Sequence, residues 1–192
     1  MSRIFPFIII ILVCTISCKS GTNKQAEKAI VEDTTNYFPV NFYIGEDIRS
    51  VVQSKAKIYK AVFMDKSRID SVPIDSTEFN ALAKKFLEKD ITSLSIKRFY
   101  KESIFRSLAT NSVTFNYASI NPSLDIKSVD ANMDEEGKKL NRVDIRVISS
   151  KNDSSFTENY CWLPGQKFYI TKYAEGKDAK GVLTTTTVTW HK

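Results

Sequence analysis

A covalent catalyst needs a thiol or hydroxyl with a base beside it. The chain has a single histidine, His191, next to the last residue. Of three cysteines, Cys14 and Cys18 belong to an apolar N-terminal stretch, which leaves Cys161 as the one thiol of the folded part. Without a positioned base it reads as a small buried hydrophobe. There is no Gly-x-Ser-x-Gly elbow, and the sole Ser-x-x-Lys, Ser54-Lys55-Ala56-Lys57, spans a predicted helix end and strand start. One histidine and one thiol fall short of a tetrahedral zinc site, and Gly176-Lys177 sits in no phosphate-cradling motif. No catalytic residue, cofactor or metal is expected.

Oxygen-rich spacing is found once, at Asp130, Asn132, Asp134 and Glu136. Numbered from Asp130 as a calcium loop, the sixth position is Glu135 instead of Gly and the twelfth is Asn141 instead of Glu. Numbered from Asn132, Gly137 fits but Val143 stands where the bidentate acid belongs. An acidic hairpin turn is the simpler reading. The remaining acids are plentiful, and nothing places two of them at a separation suited to glycoside hydrolysis.

Two sets of residues suit binding better than chemistry. Lys84, Lys85, Lys89, Lys97, Arg98 and Lys101, with Arg106, outnumber the nearby acids Glu78, Glu88, Asp90 and Glu102, and suit a solvated face or contact with an anionic surface. Tyr160, Trp162, Tyr169, Tyr173 and Trp190 gather near the C-terminus as core or as a partner-binding patch.

The elements that must carry these residues form an α+β pattern. Folding is expected to begin at Tyr37-Phe38-Pro39-Val40. After Gly45, Ile48, Val51 and Val52 share a helical face, and strands at Lys57–Met64 and Ile69–Ile74 form a hairpin turning at Asp65–Arg68. Pro73 places the second of these at an edge or ends it there. Asp75-Ser76-Thr77-Glu78 is a helix start, followed by Phe79, Leu82, Ala83, Phe86 and Leu87 at helical spacing. The same period predicts a helix over Leu94–Leu108. From Val113 onward apolar residues alternate, with turns at Asn121-Pro122, Asp134–Gly137 and Pro164-Gly165. Two to three helices packed on a mainly antiparallel sheet, with a four- to six-stranded meander late in the chain, is the expected fold.

The N-terminus carries the address. Arg3 precedes an apolar run from Ile4 to Val13, a secretory-signal pattern of ~15 Å as a helix, too short to span a bilayer core of ~30 Å. The join Thr15-Ile16-Ser17-Cys18 resembles a bacterial lipobox, with Thr15 where Leu is usual; the resemblance implies cleavage after residue 17 and a lipid on Cys18. Residues 18–36 then read as a flexible tether of ~25 Å, and 37–192 as a single domain. Lys19, in place of the Asp that marks inner-membrane retention, implies the outer membrane. Tether, helices and terminal strands together resemble the layout of small bacterial envelope lipoproteins, which identifies no activity. The mature chain keeps 27 basic residues against 22 acidic ones once Arg3 is lost, an excess that favours anionic lipid or an acidic envelope partner; an exported chain meets no nucleic acid. The expectation is a lipid-anchored, non-catalytic binding or assembly module facing the periplasm. A carrier of an apolar ligand comes second and an envelope hydrolase third.

Overall fold

Beside Tyr37 and Phe38 the chain ties itself to the sheet before its first helix begins. The Tyr37 hydroxyl donates to the carbonyls of Lys97 (3.1 Å) and Tyr100 (2.8 Å), and the Phe38 N–H donates to the Tyr117 hydroxyl at 2.8 Å. The computed structural model describes residues 36–151, 154–176 and 179–191. The expected signal peptide, Cys18 and the tether up to residue 35 lie outside the described residues. No helix among the described residues is long and apolar enough to cross a membrane.

Helix α1 spans Val40–Gln53, strands β1 and β2 span Lys57–Met64 and Ser67–Ile74, and α2 spans Ser76–Leu87. Gly45 was expected to precede α1, yet the helix runs through it. Burial of Ile44 and Val51 on the same face outweighs the ~1 kcal/mol that a mid-helix glycine costs. Between β1 and β2 the turn needs only Asp65 and Lys66, both with positive φ, as a two-residue hairpin matched to strand twist requires. Asp75 caps α2 by accepting the Glu78 N–H at 2.8 Å, and Phe79, Ala83 and Phe86 are buried.

The expected helix over Leu94–Leu108 is a correction. Only Leu94–Lys97 is helical (α3), and Tyr100–Ser107 is strand β3. Apolar residues three and four apart mimic a helical face, but Ile104 and Leu108 are 58% and 81% exposed. Pairing with strand β4 (Ser112–Ser119), from Tyr100 opposite Ser119 to Ser107 opposite Ser112, overrides the local period.

Strands β5 (Ile126–Asp134), β6 (Leu140–Lys151), β7 (Ser154–Leu163), β8 (Lys167–Gly176) and β9 (Ala179–His191) continue the meander. The late meander therefore has seven strands, because β3 joins it. All strands form one nine-stranded antiparallel sheet in the order β2-β1-β9-β8-β7-β6-β5-β4-β3, with β9 pairing back onto β1. The protein is predominantly β, with its strands concentrated in the C-terminal half. Gly165, at φ 72°, and the Gln166 N–H to Leu163 carbonyl bond of 3.1 Å close the Pro164-Gly165 turn.

An aromatic cluster forms the centre of the core. Trp162 stacks on Phe168 at 4.9 Å, the two being opposite each other on β7 and β8. Phe86 meets both edge-on, at 5.0 and 5.2 Å, and Phe79 meets Trp190 at 5.6 Å. The carboxylate of Asp47 on α1 accepts the Trp162 Nε1–H and the Gly165 N–H, each at 2.9 Å.

Candidate functional site

Alternation along a strand sends neighbouring residues to opposite faces. On β7, Tyr160 and Trp162 join the core, and Asn159 and Cys161 lie on the other face. Register then lines up Ser128, Arg146 and Asn159 across three strands, with Asp130, Asp144, Cys161 and Tyr169 in the row beside them. Together with Arg142 these residues line a polar cleft of about 340 Å³ on the sheet face opposite the aromatic core.

Two of the four charged side chains in this cleft pair with each other. Arg142 Nη2 donates to Asp144 Oδ1 at 2.7 Å while its Nε donates to Oδ2, a bidentate fork, and Nη2 also reaches the Tyr169 hydroxyl at 3.2 Å. Asp130 accepts from Asn116 Nδ2 at 2.6 Å. Arg146 is exposed and has no hydrogen-bond or ion-pair partner among the described residues. Two arginines and two aspartates balance in formal charge, Asp130 resting on a neutral amide, and Arg146 offers a planar, five-donor fork suited to a carboxylate or phosphate.

Cys161 shares the cleft's floor. It is 1% exposed, and burial pushes its thiol up to about 11, so the thiolate is scarce at neutral pH. Hydrogen bonding to Cys161, then burial, raises the Tyr169 hydroxyl as well. His191 ends β9, opposite Lys57 of β1, and is remote in register from the cleft.

The aromatic residues expected to form one patch divide between the two faces. Of the two readings offered for them, core or partner-binding patch, Tyr160, Trp162 and Trp190 take the core, 4%, 0% and 2% exposed. Tyr169 borders the cleft, and Tyr173 covers Gly181, where a Cβ would overlap its ring.

The basic set is likewise scattered, which corrects the expectation of a shared helical face. Lys84 and Lys85 are exposed on α2, whereas Lys89 lies over the Tyr160 ring at 5.4 Å. Lys97 is buried over Tyr37 at 4.9 Å, Arg98 stacks on Phe99 at 4.8 Å, and Lys101 is on β3. The acidic run Asp130, Asn132 and Asp134 follows the outer face of β5, and Asp134 Oδ1 accepts the N–H groups of Lys138 and Lys139 to close the turn. Those backbone bonds, Lys139's first, hold its carboxyl below the usual range. Among the described residues no group of three or more His, Cys, Asp or Glu is placed to hold a metal.

Arg146 escaped the sequence reading because nothing local separates it from other surface arginines; its isolation depends on which partners its neighbours take. What the fold and cleft define is a predominantly β protein with a filled aromatic core and an open polar face. Comparison with protein-family models, curated proteins and solved structures matches nothing.

Proposed function

We propose that this chain is a lipid-anchored, non-catalytic binding module of the bacterial cell envelope, tethered through Cys18 to the outer membrane and facing the periplasm. In this reading α1 and α2 are a cover layer on the core face of the sheet. The opposite face meets an envelope partner that presents a carboxylate or phosphate to Arg146.

The observation that carries the binding surface is the exposed Arg146, without a hydrogen-bond or ion-pair partner among the described residues, in a cleft where Arg142 is already held by Asp144. Support for the anchor is the Arg3, apolar run and Thr15–Cys18 pattern. The mature chain's 27 basic against 22 acidic residues favour an acidic partner. A carrier would need a cavity of roughly 300–1,000 Å³ for a small apolar ligand. The enclosed apolar niche beside Tyr37, Ile91 and Val129 measures about 20 Å³, room for one water-sized probe, so the filled core favours the binding module.

A photo-crosslinking amino acid at Asn159 in cells is expected to capture an envelope partner, and Arg146→Glu to abolish that capture without changing the melting temperature. Equal capture by the Arg146→Glu protein would end the cleft assignment. Mass spectrometry of membrane-extracted protein is expected to find acyl chains on Cys18, and Cys18→Ser to release the protein or leave it uncut. Intact residues 1–17 on the mature protein would end the anchor assignment.

A further inference from the structure

The two edges of the sheet are built differently. The Asp65 N–H donates to Leu183 across β1 and β9 at 2.9 Å, which fixes the alternation of β1 and turns Ile58, Lys60 and Val62 toward β2. Pro73, opposite Tyr59, then falls at a position whose backbone faces outward, and proline has no N–H to offer there. A register shift beside Val62 and Phe63 adds a bulge. This edge is closed to a further strand.

At the other end β3 has neither device. The Ile120 N–H donates to Phe99 at 2.8 Å in register with the β3–β4 ladder, so odd-numbered β3 residues bond to β4. Even-numbered residues therefore turn their N–H and C=O groups to the open side. The Tyr37 hydroxyl on the Tyr100 carbonyl confirms that direction and, among the described residues, limits the free edge to Glu102, Ile104 and Arg106. Ile104, Phe105 and Leu108 on and just beyond this strand are 58%, 59% and 81% exposed.

We propose that β3 is a homodimer interface, pairing antiparallel with β3 of a second copy about a two-fold axis through Ile104. Only registers that set even residues opposite even residues join the free groups. With Ile104 opposite its own copy, Glu102 lies opposite Arg106 twice, Tyr100 opposite Leu108, Ser103 opposite Phe105, and Lys101 opposite Ser107. No like charges meet. A shift of two residues in either direction sets Glu102 and Arg106 against apolar side chains, so charge complementarity selects one register. Glu102 is pre-oriented by the Tyr117 hydroxyl at 2.8 Å, and the 4.0 Å approach of Arg106 to Glu135 is an exposed pair that holds it weakly. A second copy, unlike an unrelated extended peptide, supplies these complementary charges by symmetry. The proposal is independent of the Arg146 cleft.

Sedimentation equilibrium of the full chain in density-matched detergent is expected to show a dimer. Arg106→Glu should weaken dimerisation by roughly tenfold or more, and the double variant Glu102→Arg/Arg106→Glu should restore it. Ile104→Pro, which removes only an outward N–H, should give a monomer with unchanged far-ultraviolet circular dichroism. A monomeric wild-type chain, or a dimer that survives Arg106→Glu unchanged, would overturn the proposal. Should Arg106→Glu lose its fold, Ile104→Pro decides: a folded monomer supports the interface, and a folded dimer overturns it.

Discussion

Cys161 and Trp162 are adjacent in sequence and both buried, yet they lie in environments with little in common. Trp162 faces Phe86, Phe168 and Trp190 in a packed aromatic core, and its one polar atom is satisfied by Asp47. Cys161 faces the polar cleft, shielded by Tyr169, Arg142 and Asp144. One face of the sheet stores the stability of the domain, and the other offers charge at small cost to it. Substitutions on the two faces should accordingly separate into loss of folding and loss of binding.

The largest effect should come from the core face. Trp162→Ala and Trp190→Ala each remove a large buried ring and should cost ~3–5 kcal/mol in chemical denaturation, against a typical total of ~5–15 kcal/mol. A surface-like response from either would mean that the core is centred elsewhere.

Next, the two tryptophans should differ when only the indole N–H is lost with part of the ring. The Trp162 N–H is bonded to Asp47, whereas Trp190 Nε1 is buried with no partner among the described residues. Trp162→Phe should therefore cost about 1–3 kcal/mol more than Trp190→Phe, since it removes one of the two hydrogen bonds to the Asp47 carboxylate while the other relieves an unmet donor. Equal costs would show that the Asp47 link contributes nothing. Asp47→Ala, which also frees the Gly165 N–H, should resemble Trp162→Phe in urea melts.

A smaller effect should follow from pH. Burial works to raise the Glu158 carboxyl, but the Tyr160 hydroxyl at 2.8 Å and Lys172 at 3.2 Å outweigh it and hold the group below its ordinary 4.5. A folded-state value below the unfolded one gives stability that is present above about 4.5 and lost as pH falls through the depressed value. Glu158→Gln should flatten that acid limb in melts run from neutral to acidic pH, and an unchanged limb would place the sensitivity elsewhere.

The smallest effects belong to the cleft face. Arg146→Ala should leave the melting temperature unchanged, because Arg146 has no partner to lose among the described residues. The Cys161 thiol should resist alkylation in the folded state at neutral pH, and Cys161→Ala should cost ~1 kcal/mol. Rapid alkylation of folded protein would show that the cleft floor opens.

Much of the architecture was written locally. The Asp75–Glu78 cap, the Pro164-Gly165 turn and the alternation that marks β4, β6, β8 and β9 are legible because neighbouring residues alone satisfy those backbone groups or set that period, whereas β5, whose Asp130–Asp134 stretch reads as an acidic turn, is not. Edge placement of Pro73 was legible for the same reason, since a missing N–H is local chemistry. Tertiary structure decided the rest. A spacing of three and four over Leu94–Leu108 suits a helix or a strand, and the choice fell to a ladder with β4. Alternation shows that Cys161 and Trp162 part company but not which side faces the helices' aromatic rings; Phe79 and Phe86, some eighty residues earlier, settle that. The free guanidinium of Arg146 and the open edge of β3 are likewise products of pairing between distant strands. A sequence states what each group can bond, and only the assembled sheet determines which groups are left over.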